Sequence, residues 1–225
     1  MPFLSRTAAA RGDAPALFTP EGAISYGALD RSATKIARQL LTLGFEPGGV
    51  VALKGHPSPA LLGALHGVWR AGGAAAPFNP RWEPWEEARA LGILGPDLVL
   101  LAEEMGPTPG DHRTLTIGAS KHDAIESLGA FWPKTGPLPL DPDPDASTEG
   151  RCAAHLFTSG TTGEPARVSL TFENLRANAR GARERLSLRV SDRWMASLSV
   201  AHVGGLALVT RAALLGSALQ LGGVF

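Results

Sequence analysis

The stretch that decides the fold is Leu156-Phe157-Thr158-Ser159-Gly160-Thr161-Thr162-Gly163-Glu164-Pro165. It begins inside an apolar run, 152–157, that predicts a buried strand. The strand leads straight into a loop, 158–163, that consists only of hydroxyl-bearing residues and glycine. Glycines allow backbone N–H groups to converge on an anion, and the hydroxyl groups add donors without bulk. A strand followed by such a loop is suited to oxyanions such as nucleotide phosphates.

Two other chemistries do not fit this loop. It is not a Walker A loop, because no Gly-Lys-Ser/Thr follows the glycines. It also contains no G-x-S-x-G elbow, so Ser159 is not placed as an acyl-enzyme nucleophile. The alternative is a flexible polar turn between two strands, which is the usual interpretation of a generic Ser/Thr/Gly loop. Four hydroxyl groups and two glycines in this order favour the anion site.

Strands and helices alternate on both sides of the loop. Apolar residues at three- and four-residue spacing predict a helix over 26–43, with Ser25 as its N-cap. The other predicted helices are 59–70, 84–94, 172–186 and 202–215, and the other predicted strands are 16–19, 23–25, 50–53, 74–78, 97–101, 168–170, 194–199 and 218–221. Strands joined through helices form right-handed crossovers in a parallel sheet. The predicted fold class is therefore α/β, with mostly parallel sheets flanked by helices.

A proline-rich segment divides the chain. Over 106–150 the periodicity fades, prolines recur, and the acidic stretch 141–145 appears. We therefore predict a first α/β subdomain segment over 1–105, a connector over 106–150, and an α/β segment over 151–225 that carries the loop.

The composition excludes several classes of protein. The single cysteine, Cys152, rules out an internal disulfide and is compatible with a reducing cytoplasm, where we expect the protein to be. Because 21 Lys and Arg balance 21 Asp and Glu, the net charge is +0, and we expect neither nucleic acid nor membrane as a partner. The longest apolar tract, 203–225, contains Arg211 and several glycines, which predicts a buried segment rather than a membrane span.

Other residues of chemical interest are given structural roles. Trp82 and Trp85 are expected to pack the start of a helix, and Cys152 to pack within a strand. Arg176, Arg180 and Arg183 share one face of helix 172–186 and suggest a nucleic-acid or CoA-phosphate patch, but Glu173 and Glu184 beside them favour a solvated face. The histidines other than His202 lie at no metal-ligand spacing, and no protein metal site is expected.

The loop also carries a resemblance to a known family. Residues 158–165 match the signature loop of the adenylate-forming superfamily, which includes acyl-CoA synthetases, luciferases and peptide-synthetase adenylation domains. Further stretches resemble successive landmarks of that family, namely 26–30, 44–51, 70–72, 77–80, 171–175 and 198–206. Within the family, 202–206 together with Phe172 is most similar to o-succinylbenzoate–CoA ligases of menaquinone biosynthesis.

The resemblance implies an AMP-forming acid–thiol ligase that uses ATP, Mg2+ and CoA. A carboxylate attacks the α-phosphorus of ATP, and the thiol of CoA then displaces AMP. The resemblance assigns the β- and γ-phosphates to Thr158, Ser159, Gly160, Thr161, Thr162 and Gly163. It places the catalytic His202 near the carboxylate or its adenylate, with Gly204 and Gly205 leaving room for the acyl group. From position alone, His202 is a helix-capping or core histidine.

One departure from the family concerns phosphate binding. The family usually has lysine immediately after the signature proline, whereas this chain has Ala166 followed by Arg167. Adjacent side chains of an extended segment face opposite ways, so Arg167 does not automatically replace the lysine.

The end of the chain supports a second hypothesis. Nothing before Phe225 resembles the family's later landmarks, including the aromatic segment that stacks adenine and the C-terminal lysine. The expectation is a truncated N-terminal portion that cannot complete a turnover alone. The alternative function is a catalytically incomplete fragment or a non-catalytic binding remnant. A complementary C-terminal fragment and a homo-oligomer are the protein partners left open.

Overall fold

The computed structural model describes residues 3–102, 104–118, 150–158 and 165–222. The helices in those ranges are α1 (Leu4–Arg11), α2 (Tyr26–Thr42), α3 (Pro59–Arg70), α4 (Pro84–Leu94), α5 (Phe172–Leu186) and α6 (Val203–Leu215). The strands are β1 (Pro15–Thr19), β2 (Gly22–Ser25), β3 (Val50–Lys54), β4 (Ala74–Phe78), β5 (Leu98–Ala102), β6 (Thr114–Ile117), β7 (Cys152–Thr158), β8 (Ala166–Thr171), β9 (Arg193–Met195) and β10 (Ala218–Gln220). Of these helices, none is long and apolar enough to cross a membrane.

The larger sheet has six strands in the order β6-β5-β3-β4-β7-β8. Its neighbouring strands are parallel except for β7 and β8, which are antiparallel. Alternate residues of the central strand β3 enter different cores, because successive side chains of a strand face opposite sides. Val51 and Leu53 join the core formed with α2 and α3, whereas Ala52 packs with Leu91 and Leu94 of α4.

The smaller sheet has the order β2-β1-β10-β9. Strands β1 and β2 form an antiparallel hairpin, and β10 is parallel to both of its neighbours. The two sheets and their flanking helices confirm the predicted α/β class. Both sheets combine strands from the segments 1–105 and 151–225, and the division of the chain between these segments stays a prediction.

Local capping explains why most predicted helix boundaries are accurate. The side chain of Ser25 accepts a hydrogen bond from the Ala28 amide at the start of α2, as the sequence predicts. At α5, Thr171 accepts from the amide of Asn174, and the Asn174 side chain accepts from the amide of Thr171. These reciprocal bonds satisfy amide groups that have no partner inside the helix.

The structure differs from the sequence prediction at three elements. Helix α1 was not predicted, because its short segment becomes buried only through tertiary contacts of Leu4 and Thr7. Strand β6 lies inside the predicted connector and is recognised only by its parallel pairing with β5. The strand predicted over 194–199 ends at Met195, where its pairing with β10 also ends. Residues 119–149 of the predicted connector lie outside the described residues.

The N-terminal elements hold the C-terminal end of α6. The Thr7 hydroxyl donates to the Ala213 carbonyl oxygen at 2.6 Å, and the Arg11 guanidinium donates to that of Gly216 at 2.7 Å. The Tyr26 hydroxyl lies 2.7 Å and 2.6 Å from the carbonyl oxygens of Ala212 and Ser217. Burial raises the pKa of the Tyr26 phenol well above its ordinary value, so the hydroxyl remains a donor. These bonds fix the helix whose opposite end carries His202.

Candidate functional site

A cleft of about 600 Å³ opens at the carboxyl ends of β4 and β7. Crevices at this edge of a parallel sheet are the usual ligand sites of α/β folds. The cleft is surrounded by residues from the ends of β4 and β7, from β8 and the residue before it, and from around the starts of α4 and α6: Pro77, Asn79, Trp82, Trp85, Glu86, Leu156, Phe157, Thr158, Pro165, Val168, Leu170, Ala201, His202 and Val203.

Two of the residues predicted for the site meet in this cleft. Thr158 is the exposed last residue of β7, and its hydroxyl lies 3.5 Å from the Ala166 carbonyl oxygen, at the limit of a hydrogen bond. His202 is exposed and stands at the N-cap of α6, where its amide donates to the Ser199 carbonyl oxygen at 3.0 Å. Thr158 and His202 therefore line one shared space. The other predicted phosphate contacts lie outside the described residues: Ser159, Gly160, Thr161, Thr162 and Gly163.

The pairing of β7 with β8 determines which side chains face the cleft. Thr158 lies opposite Ala166, and Leu156 opposite Val168, so these side chains share one face of the strand pair. Phe157 lies opposite Arg167, on the other face. The short side chain of Ala166 thus shares the face of Thr158 and Leu156, and the Arg167 guanidinium is directed to the opposite side of the sheet.

Arg167 instead lies near a polar cluster on that opposite face. His155 lies 2.9 Å from the Ser169 hydroxyl through Nδ1, and its Nε2 lies 3.6 Å from Cys152 Sγ. Burial, followed by the positive charge of Arg167, lowers the pKa of His155. Burial also raises the pKa of the Cys152 thiol. His155, Ser169 and Cys152 are not among the residues that line the cleft, although Phe157, on the same face as His155, reaches it at the end of β7.

Gly204 and Gly205 occupy the first turn of α6, next to the segment that leads into the helix. A Cβ atom on Gly205 would lie 2.1 Å from the Ser199 carbonyl oxygen, and one on Gly204 would lie 2.8 Å from Leu198 Cδ1. The missing side chains therefore allow close packing of α6 against 198–199. Room for an acyl group at these glycines stays a prediction.

The aromatic wall of the cleft was missed by sequence reasoning, which assigned Trp82 and Trp85 to packing alone. Trp82 does pack, because its ring forms a cluster with Phe78 and Phe157 at centroid distances of 5.2 and 5.7 Å. Trp85, by contrast, is 63% exposed and lines the cleft. The available signal was the position of both residues just after 77–80, at the carboxyl end of β4.

The donors at this cleft suit an anionic ligand. The hydroxyl of Thr158 and the positive end of the α6 dipole both lie at the cleft, and each favours a negatively charged group. Within the described ranges, no group of three or more His, Cys, Asp or Glu residues could hold a metal ion.

Comparison with protein families identifies the type of domain. Residues 4–222 match the family described as AMP-binding enzyme. The chain belongs to the AMP-binding enzyme family. The family match spans both sheets and every described element.

Curated relatives within this family include ligases with different acceptors. The 2-succinylbenzoate–CoA ligase of Geobacillus kaustophilus is 28% identical over 203 residues, which cover 88% of this chain and 38% of the relative. The fatty acid–[acyl-carrier-protein] ligase ScoC of Streptomyces coeruleorubidus is 32% identical over 199 residues, covering 85% and 37% respectively. The chain therefore spans less than two fifths of the length of these two relatives.

A solved structure shares the fold. The O-succinylbenzoate coenzyme A synthetase of Bacillus subtilis in complex with AMP has a TM-score of 0.84 at 21% identity, covering 100% of this chain and 56% of that one. The same synthetase in complex with ATP and a magnesium ion has a TM-score of 0.81 at 21% identity, covering 99% and 57%. This chain thus shares its α/β architecture with slightly more than half of the Bacillus synthetase.

Proposed function

We propose that this chain supplies part of the adenylate-forming domain of an ATP-dependent carboxylate–CoA ligase. The observation that carries the proposal is the AMP-binding enzyme match over residues 4–222, together with a cleft that brings Thr158 and His202 to one strand edge. A family match alone does not supply a chemistry, but a hydroxyl, an imidazole and a helix N-terminus around one cleft suit a reaction at a phosphate.

The reaction has two steps. A carboxylate oxygen of the acid bonds to the α-phosphorus of ATP, the bond to the bridging oxygen breaks, and pyrophosphate leaves with its electron pair. The thiol sulfur of CoA then bonds to the acyl carbon, AMP leaves, and the thiol proton passes to solvent. The result is an acyl thioester, AMP and pyrophosphate.

The side chains of the cleft act mainly by position and charge in this scheme. The Thr158 hydroxyl donates to a phosphate oxygen, and we assign the neighbouring contacts to the predicted loop residues 159–163. His202 lies at the start of α6 and orients the carboxylate or its adenylate. When bound, Mg2+ neutralises phosphate charge and favours departure of pyrophosphate. Preorganised donors of this kind are a large part of enzymatic rate enhancement.

We propose o-succinylbenzoate or another aryl acid as the substrate. With o-succinylbenzoate as its substrate, the protein would act in menaquinone biosynthesis. The names of the Geobacillus and Bacillus proteins support the first choice. The aromatic wall of Trp82, Trp85 and Phe157 supports an aryl body, because aromatic rings gain stability by packing against one another. CoA is the proposed acceptor, although the Streptomyces relative transfers to an acyl-carrier protein.

Product analysis tests this function. The polypeptide encoded by the complete reading frame is incubated with ATP, Mg2+, CoA and either o-succinylbenzoate, a benzoate-type acid or a fatty acid. We expect AMP and an acyl-CoA in equal amounts with an aryl acid. AMP without thioester would indicate an adenylation-only enzyme. The absence of AMP with every acid would overturn the ligase proposal in favour of a non-catalytic binding protein.

A matched pair of variants ties the activity to the cleft. Thr158→Val removes the hydroxyl at the end of β7, and Thr114→Val makes the same change on exposed β6. Loss of one donor to a developing charge typically lowers kcat about 100-fold or more, so Thr158→Val should show a loss of this order. Thr114→Val should retain the parental rate, and equal effects of the two changes would contradict the assignment.

A further inference from the structure

The first turn of α4 presents an unusually exposed indole to the cleft. Trp85 is 63% exposed, although tryptophan buries most of its surface on average in folded proteins. Its neighbour Trp82 is packed in the aromatic cluster, so packing among the described residues accounts for only one of the two rings. The volume of about 600 Å³ lies within the range typical of small-molecule sites. Trp85 is therefore placed as a contact surface for the cleft's occupant.

The backbone beneath Trp85 is firmly held. Pro84 occupies the first helical position, where its fixed φ favours the helix. Glu83 and Glu86 form a capping box, in which the Glu83 amide donates to Glu86 Oε2 at 2.8 Å. An aromatic ring on a preorganised turn can contribute binding energy without the cost of ordering a loop.

The same capping box fixes a negative charge beside the aromatic surface. Glu86 is half-buried and lines the cleft, and its carboxylate cannot swing away without losing the bond to the Glu83 amide. At contact distance, one additional negative charge on the occupant would lower affinity by roughly tenfold or more in this partly solvated setting.

We infer that the first turn of α4 selects the acid: Trp85 packs against an aryl body, and Glu86 discriminates against a second negative charge on that body. The inference rests on the proposed function and narrows it. It favours an aryl monocarboxylate over o-succinylbenzoate, which carries two carboxylates. Trp85 and Glu86 are thereby specificity-determining residues.

Three acids separate the effect of charge from that of shape. These are o-succinylbenzoate, 4-oxo-4-phenylbutanoate, which lacks the carboxylate on the ring, and 2-butyrylbenzoate, which lacks the carboxylate on the chain. Binding to the 225-residue chain is followed by tryptophan fluorescence, and acid-dependent ATP–pyrophosphate exchange is followed with the polypeptide from the complete reading frame. We expect at least one monocarboxylate to bind about tenfold more tightly than o-succinylbenzoate.

Variants identify the residues responsible. Glu86→Gln keeps an oxygen for the Glu83 amide but removes the charge, and should reduce the preference for the monocarboxylate to about threefold or less. Trp85→Ala should raise KM for all three acids about tenfold with little change in kcat, and Trp85→Phe should restore most of the affinity. Glu184→Gln on the exposed face of α5 is the charge-matched control and should change nothing.

The two arms distinguish failure of the inference from failure of the function. The inference would be overturned, even if exchange is rapid, by either of two results. One is that o-succinylbenzoate binds more tightly than both monocarboxylates, and the other is that Glu86→Gln leaves the preference for a monocarboxylate unchanged. If none of the acids supported ATP–pyrophosphate exchange, the proposed ligase function would be overturned. The fluorescence titrations would still decide whether Trp85 and Glu86 select among aryl acids.

Discussion

Replacing Gly205 by alanine tests the packing that positions His202. The new Cβ would lie 2.1 Å from the Ser199 carbonyl oxygen, 2.6 Å from the Ser199 carbonyl carbon and 2.7 Å from the Leu198 carbonyl oxygen. Real Cβ contacts are essentially never below 3.0 Å, so the helix and the segment before it must separate by roughly 1 Å. All three obstructing atoms are backbone, and a change of rotamer cannot relieve the overlap.

The expected magnitude follows from two opposing effects. Alanine in place of glycine favours a helix by up to about 1 kcal/mol, whereas overpacking of a buried site costs about 1–3 kcal/mol and sometimes more. Because the overlap involves three backbone atoms, we expect a net loss of about 2 kcal/mol of unfolding free energy. For a chain of this size that corresponds to a fall in Tm of about 4–8 °C.

Gly181 in α5 provides the matched control. It is exposed, and no atom lies within 4 Å of the position its Cβ would take. Gly181→Ala should therefore stabilise the protein by about 0.5–1 kcal/mol. Urea and thermal unfolding followed by circular dichroism measure both variants. If Gly205→Ala were as stable as Gly181→Ala, the close approach of α6 to 198–199 would be refuted.

Two further predictions concern buried groups of the core. Tyr26→Phe removes a hydroxyl that lies against two carbonyl oxygens at the end of α6, and should lower the unfolding free energy by about 1–3 kcal/mol in urea titrations; an unchanged midpoint would contradict the proposed anchor. Burial, followed by the charge of Arg70, lowers the pKa of His66 to about 3 from 6.5, so the unfolded chain binds a proton first as the pH falls. The stability linked to His66 is complete above pH 6.5 and is lost toward pH 3, by about 1 kcal/mol between pH 6 and pH 5. His66→Leu should remove that part of the pH dependence, and an identical slope in both proteins would refute it.

The sequence predicts those elements whose signals are local. Ser25 caps α2, and the observed bounds of α3 and α4 follow from a proline at the start of each helix and a glycine just beyond its end, because such start and stop signals are encoded within one segment. Helix α1 and strand β6 lack such signals. Each depends on a distant partner, since Thr7 bonds to Ala213 and β6 pairs with β5.

The candidate site divides in the same way. The sequence pattern alone indicates that Thr158 begins an anion-binding loop directly after a strand, and the resemblance to the family adds His202. Neither the pattern nor the resemblance indicates that Trp85 lines the same cleft as Thr158 and His202. The contact of α4 with the cleft arises because β4 and β7 are neighbours in the sheet. The placement of Arg167 on the face opposite Thr158 could be anticipated from strand alternation, and the pairing of β7 with β8 fixes it.

Acid-dependent exchange of labelled pyrophosphate into ATP tests the central claim most directly. The polypeptide from the complete reading frame is assayed with aryl acids, and Thr158→Val and Thr114→Val are assayed alongside it. The proposed adenylation step predicts exchange only when an acid is present, with a loss of about 100-fold in Thr158→Val and none in Thr114→Val. The claim that this cleft forms an acyl-adenylate would be contradicted if no acid supported exchange, or if Thr158→Val exchanged pyrophosphate as fast as the parent protein.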